Sequence, residues 1–187
     1  MDRFTCLLPV ALITFVLADN SLAADPILVP ASGPAEGKLK YDADKALAYY
    51  KKFCKQGNDC PDGEFMPPKG TDCTHFICHG LKEGGVMVDS TEVECQSKCC
   101  IRVKELAAAF YNATKKYSNV KQVKIADAKA GDFIFRVSLF GSKNHVMMLN
   151  GQPDKKGAKI FGHANNRCGE YVEFDVNDCK AYRISDL

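Results

Sequence analysis

The sequence lacks the features that mark two large classes of protein. No segment after residue 23 approaches the roughly 20 consecutive apolar residues that a membrane-spanning helix needs. Charge of either sign is not in excess, since 25 basic and 23 acidic residues give a formal net charge of +2. The basic footprint of a nucleic-acid-binding protein is therefore missing. We expect a chain that has neither a membrane span nor a nucleic-acid partner.

The first residues have the pattern of a secretory signal peptide. A basic residue precedes an apolar run from Phe4 to Ala18, and small residues follow it. We expect residues 1–23 to be removed and the protein to be secreted. Residues 24–40, which are rich in proline and small residues, are predicted to form a flexible leader. Residues 41–187 then form one domain of ordinary size.

Cysteine is abundant, with ten residues in the chain. Cys6 would leave with the signal peptide, so the mature chain keeps nine, an odd number. Secretion into an oxidising compartment drives thiols into disulfides, and about four disulfides would leave one cysteine over. Counting alone does not identify that cysteine. The sequon at Asn112 would be glycosylated in a eukaryotic source.

Three helices are predicted from apolar residues that recur at steps of three and four. They cover residues 42–54, where Asp42 is a good N-cap, residues 73–84, which end in the C-cap Gly84-Gly85, and about residues 102–117. A helical wheel divides the second helix into two faces. One face carries Cys73, Phe76, Ile77, Gly80 and Leu81, and the other carries His75, Cys78 and His79.

After Lys121 the apolar residues follow the period of strands. The predicted strands are residues 133–137, 145–149, 159–163, 171–174 and 180–184. Short strands that lie close together in sequence pair antiparallel. The sequence therefore predicts an α+β fold in which N-terminal helices pack on one side of a small, curved antiparallel sheet.

Cys73 is the strongest candidate for chemistry. A cysteine attacks a carbonyl only as a thiolate, and the N–H groups and positive dipole end of a helix N-terminus stabilise that anion. The nucleophile also needs an imidazole to take its proton and a third group to orient that imidazole. His145 opens one predicted strand and His163 closes the next. If these strands form a hairpin, we expect the two side chains to lie together on one face of the sheet, opposite the N-terminus of the helix. His145 would then act as the base and His163 as the orienting residue.

In this order the motifs resemble those of the NlpC-type cell-wall peptidases of the papain-like group, including their amidase branch. The similar elements are Asp72-Cys73-Thr74, Gly131-Asp132-Phe133-Ile134-Phe135, His145-Val146, His163-Ala164 and Ala181-Tyr182-Arg183-Ile184. The resemblance implies a papain-like core, a Cys73–His145–His163 triad and cleavage of an amide bond in a peptidoglycan peptide. The tryptophan-rich approach to the nucleophile that is usual in that family is missing, because the chain has no tryptophan.

Each of these residues also has a simpler interpretation. Cys73 could be a disulfide cysteine, as most cysteines of secreted proteins are. His145 could be a histidine packed at a strand edge. Asn165 or Asn166 could orient the imidazole in place of His163, because an amide carbonyl can accept its N–H.

A zinc site is the competing interpretation of the second helix. Zinc prefers cysteine and histidine ligands, and four of them fall within seven residues, at Cys73, His75, Cys78 and His79. The helical wheel points Cys73 away from the other three. We therefore expect no metal and no other cofactor.

These patterns predict a secreted, monomeric cysteine peptidase or amidase that acts on peptidoglycan, with an antibacterial role. One alternative is a catalytically inactive, disulfide-stapled binding or toxin-like module of the same fold. Another is a papain-like acyltransferase or lipid hydrolase. Thiol labelling separates the enzyme from the binding module, because the enzyme is expected to have one fast-reacting thiol, at Cys73.

Overall fold

The computed structural model describes residues 25–33, 37–55, 72–89, 102–136, 144–163 and 167–185. Within these ranges it contains the helices α1 (Ala43–Phe53), α2 (Asp72–Glu83) and α3 (Val103–Lys116). The strands are β1 (Ile27–Pro30), β2 (Val86–Asp89), β3 (Val120–Val123), β4 (Phe133–Arg136), β5 (His145–Leu149), β6 (Gly157–Gly162), β7 (Arg167–Glu173) and β8 (Cys179–Ile184). The predicted signal peptide, Asn165, Asn166 and the cysteines Cys60, Cys95, Cys99 and Cys100 lie outside the described residues.

The ends of the helices follow local signals. Asp42 caps α1, because its Oδ1 accepts a hydrogen bond of 3.0 Å from the backbone N–H of Lys45, one of the groups that a first helical turn leaves without a partner. α2 ends where Gly85 takes a φ of +89°, a conformation that suits glycine. Arg102 and Tyr117 flank α3. The three predicted helices are confirmed.

α2 is buried on all sides. Residues 73–81 are all buried, because α2 lies between α1 on one side and the strands β2, β5 and β6 on the others. Tyr50 of α1 lies so close to Gly80 that a side chain at that position would collide with its ring. Its hydroxyl donates a hydrogen bond of 2.7 Å to the carbonyl oxygen of Ile77. Both faces of the helical wheel therefore contact protein.

Six strands form one sheet in the order β3-β8-β4-β5-β6-β7, and every neighbouring pair is antiparallel. Alternation along the strands gives the sheet two faces. Phe133, Phe135, Val146, Met148 and Phe161 belong to the core that includes the helices. Ile134, Met147, Leu149, Ile160 and Ala181 form a second apolar cluster on the other face. The predicted α+β class and antiparallel pairing are confirmed.

Residues 25–33 and 37–40 differ from the predicted leader. Strand β1 pairs with β2, and Leu28 and Leu39 are both fully buried. The side chain of Asn119 holds the backbone of Leu39, accepting its N–H at 2.9 Å and donating to its carbonyl at 2.8 Å. These residues therefore contribute a strand and two buried side chains to the domain. The proline-rich composition obscured the short apolar strand, whose partner lies far away in the chain.

Asp132 links β4, β5 and β8. Asp132 is buried. Its carboxylate accepts hydrogen bonds from Nε and Nη2 of Arg183 at 2.8 and 2.7 Å and from the backbone N–H of Lys129 at 2.8 Å. The backbones of Gly131 and Asp132 bond both main-chain groups of Leu149 at the end of β5. The Gly131-Asp132 motif therefore has an architectural role. In the part of the chain described, no helix has the length and apolar character needed to cross a membrane.

Candidate active site

Cys73 is the second residue of α2 and is 7% exposed. Its Sγ lies 3.8 Å from Oγ1 of Thr74. The first N–H groups of a helix have no partner within the helix, and together with the helix dipole they stabilise an anion at this end. The position of Cys73 therefore meets the first requirement of a nucleophilic cysteine, which is stabilisation of the thiolate.

His163 directly follows β6 and lies against α2. Its ring stacks on Phe76, with centroids 4.2 Å apart and planes 12° apart. Its Nε2 lies 2.8 Å from the carbonyl oxygen of Phe53, the last residue of α1. The side chain is buried. A ring stack and a main-chain hydrogen bond together fix the orientation of this imidazole.

His145 opens β5, where it pairs with Arg136 of β4, and Arg136 pairs in turn with Cys179 of β8. Its Nε2 lies 3.9 Å from the position that a Cβ of Gly162 would occupy. Burial lowers the pKa of His145 below its ordinary value of 6.5, and the positive charge of Arg136 lowers it further. At neutral pH the ring is therefore the neutral imidazole, the form that can accept a proton.

The structure brings Cys73 and His163 to the same side of the sheet. Cys73 and Phe76 are three residues apart in α2 and share a helix face, and His163 stacks on Phe76. His145 lies on the other face of the sheet, together with Arg136, so the expectation that the two histidines share a face is wrong. The two histidines lie on different faces because of the register between β5 and β6, in which Met148 pairs with Phe161. An offset of one residue in a strand moves a side chain to the opposite face.

α2 carries a second pair of buried imidazoles, those of His75 and His79. Their Nε2 atoms lie 3.1 Å apart, and Tyr49 of α1 stacks on His79 with centroids 6.1 Å apart. One Nε2 donates a hydrogen bond and the other accepts it, so at least one ring is neutral. The spacing of four residues was the sequence signal for this contact. The described ranges hold no group of three or more His, Cys, Asp or Glu side chains placed to hold a metal.

A cavity of about 460 Å³ lies between α1 and α2, within the range of small-molecule binding sites. Tyr49, Phe53 and His79 line it, and the charged residues Lys52 and Glu83 lie on its exposed side. Phe53 also binds His163 through its carbonyl oxygen. Phe53 therefore connects the cavity, which it lines, to His163, which its carbonyl oxygen contacts.

One disulfide is present among the cysteines that the structure describes, and it joins Cys54 at the end of α1 to Cys168 in β7. Cys179 carries a thiol, which lies 3.5 Å from the carbonyl oxygen of Asp175. Burial raises the pKa of this thiol to about 11. Cys179 is therefore a thiol, and not a thiolate, at neutral pH.

The thiol at Cys179 changes the argument from the odd number of cysteines. With Cys179 already unpaired, the odd total no longer singles out Cys73 as the cysteine without a disulfide. If Cys73 is also a thiol, one more cysteine of the mature chain stays unpaired or forms an intermolecular bond. The thiol at Cys73 and the disulfide at Cys78 stay predictions.

A comparison with protein families identifies the class of the protein. The chain matches, over residues 40–184, the family model described as "Putative amidase domain". Because the match spans most of the chain, the protein belongs to this amidase family, which indicates an enzyme that hydrolyses amide bonds. No curated protein and no solved structure matches the chain.

Proposed function

We propose that the protein is a secreted cysteine peptidase or amidase with a papain-like core, which hydrolyses amide bonds in bacterial peptidoglycan peptides. The observation that carries the proposal is the position of Cys73 at the start of a buried helix in a chain of the amidase family. The order of the sequence motifs supports the papain-like, cell-wall branch. The proposal includes a monomeric protein that needs no cofactor.

In this mechanism the Cys73 thiolate attacks the amide carbonyl carbon and forms a tetrahedral intermediate. In the proposed mechanism the backbone N–H of Cys73 donates a hydrogen bond to the oxyanion. His145 takes the thiol proton and passes it to the nitrogen of the leaving amine as the C–N bond breaks. Water, deprotonated by the same imidazole, then hydrolyses the thioester and regenerates the thiol. His163 orients the base.

In the orientation beside Arg136, burial and then the charge of Arg136 lower the pKa of His145 and keep its ring unprotonated, as a base must be. To reach Cys73, its ring has to turn from the side of Arg136 to the side of α2. His145 is the first residue of β5 and stands in the terminal pair of the ladder with β4. His163 already lies on the side of α2 and is the competing base.

The proposal is tested by incubating the purified mature protein with peptidoglycan and analysing the fragments by mass spectrometry. We expect new peptide termini with the wild type and with Cys179→Ala, the matched control for a thiol outside the site, and none with Cys73→Ala. Absence of cleavage by the folded wild type, or equal cleavage by Cys73→Ala, would contradict the proposal. The first result would favour the binding module, and release of fatty acid or transfer of an acyl group would favour the lipid-directed alternative.

The roles of the two histidines are separated by the same assay. A general base contributes about 10²–10⁴ in rate, so His145→Ala should reduce kcat by that factor and His163→Ala by less. A larger loss of kcat in His163→Ala than in His145→Ala would make His163 the base and His145 the orienting residue. Secretion is tested by sequencing the N-terminus of the protein recovered from the medium, which should lack residues 1–23.

A further inference from the structure

The hydrogen bond between His163 and the end of α1 determines which nitrogen of the ring carries the proton. The carbonyl oxygen of Phe53 can only accept a hydrogen bond, and it lies 2.8 Å from Nε2 of His163. Nε2 is therefore the protonated nitrogen, and in the neutral ring the lone pair is on Nδ1.

This tautomer is the one that an orienting residue needs. The third member of a catalytic triad accepts a hydrogen bond from an N–H of the base, and so keeps the base in its reactive tautomer. A histidine can accept only through the nitrogen that holds a lone pair. With its proton directed to Phe53, His163 can therefore accept through Nδ1.

The disulfide between Cys54 and Cys168 fixes the position of the hydrogen-bond acceptor, the carbonyl oxygen of Phe53. Cys54 directly follows Phe53 and is bonded to Cys168, with a Cα–Cα distance of 5.3 Å. Cys168 in β7 pairs with Phe161 of β6, two residues before His163. The disulfide thus joins the chain that supplies the carbonyl to the strands that supply the imidazole, while Phe76 holds the face of the ring.

We propose that the main-chain carbonyl of Phe53, held in place by the Cys54–Cys168 disulfide, is the positioning group that makes His163 a hydrogen-bond acceptor at Nδ1. The proposal rests on the proposed function in one respect, because it gives that lone pair the task of orienting His145 once the ring of His145 has turned to the side of α2. The carbonyl acts through its bond to His163, so its role is one of positioning.

The first test is nuclear magnetic resonance of the nitrogen-15-labelled full-length mature protein, with His163→Gln used to assign the signals. We expect His163 to show a proton on Nε2 that exchanges slowly with water, because it is buried and hydrogen-bonded. The double variant Cys54→Ser/Cys168→Ser should lose this slow exchange, and Cys179→Ser should keep it. Phe53→Leu should also keep it, since the acceptor is a backbone atom.

Two results overturn the proposal. One is a His163 ring with its proton on Nδ1 in the wild type, which decides the matter even if the double variant does not fold. The other is an unchanged Nε2–H signal in a folded double variant. The signal is measured without substrate, so it stands or fails independently of amidase activity.

The second test is kinetic. A positioning group acts on the chemical step, so the folded double variant should lose at least about tenfold in kcat with little change in KM. Cys179→Ser should match the wild type in both constants. A rise in KM at unchanged kcat would overturn the positioning role and assign the disulfide to substrate binding.

Discussion

Removal of the Asp132 carboxylate is expected to cost about 3 kcal/mol of folding free energy, the lower end of the range for breaking a buried ion pair. The carboxylate is 2% exposed and accepts three hydrogen bonds, two of them from the Arg183 guanidinium. Hydrogen bonds to charged groups contribute about 1.5–3 kcal/mol each. The Arg183 side chain is 25% exposed in the wild type, so in Asp132→Ala its guanidinium can regain some hydration, which reduces the cost below the sum of the bonds.

The measurement is urea unfolding followed by circular dichroism for Asp132→Ala, Arg183→Ala and the double variant. Because each single change leaves the other group without its partner, the two effects should not add, and the coupling energy should be about 1–3 kcal/mol. The matched control is Glu170→Ala, which removes the exposed ion pair with Arg167, at 3.3 Å. Exposed pairs contribute about 0–1 kcal/mol.

The reasoning is refuted if Asp132→Ala costs no more than Glu170→Ala, or if the effects of Asp132→Ala and Arg183→Ala simply add. Either result would mean that the side-chain bonds of Asp132 add little to stability, and that the Gly131-Asp132 turn is held to β5 by its backbone bonds with Leu149.

Two further predictions concern stability. Burial, and then the charge of Arg136, lower the pKa of His145 from 6.5. The contribution of His145 to the unfolding free energy is therefore complete above pH 6.5 and is lost as the pH falls through the folded-state pKa. His145→Gln should flatten the fall in unfolding free energy between about pH 7 and pH 5, and an unchanged slope would contradict this. Gly80→Ala should destabilise by about 1–3 kcal/mol because its methyl group meets the ring of Tyr50; Gly151→Ala, which enters open space, should stay within about 0.5 kcal/mol by the same unfolding assay.

The elements that could be predicted from the sequence are those encoded by neighbouring residues. The Asp42 cap, the glycines after α2 and the periods of three, four and two residues all act within one element, so the three helices and the five strands from β4 to β8 were recognisable. β1, β2 and β3 were not predicted. Each is only four residues long and has its partner strand far away in the chain.

The sequence by itself determined the chemistry available at the candidate site and the α+β class, because residue type and local period carry both. Only the tertiary structure decided which imidazole faces which group. The register of β5 against β4 and β6 places His145 beside Arg136, and the position of α1 places the carbonyl of Phe53 against His163. Pairing between strands and packing between helices depend on residues far apart in the chain, and a shift of one residue reverses a face. No local pattern contains that information.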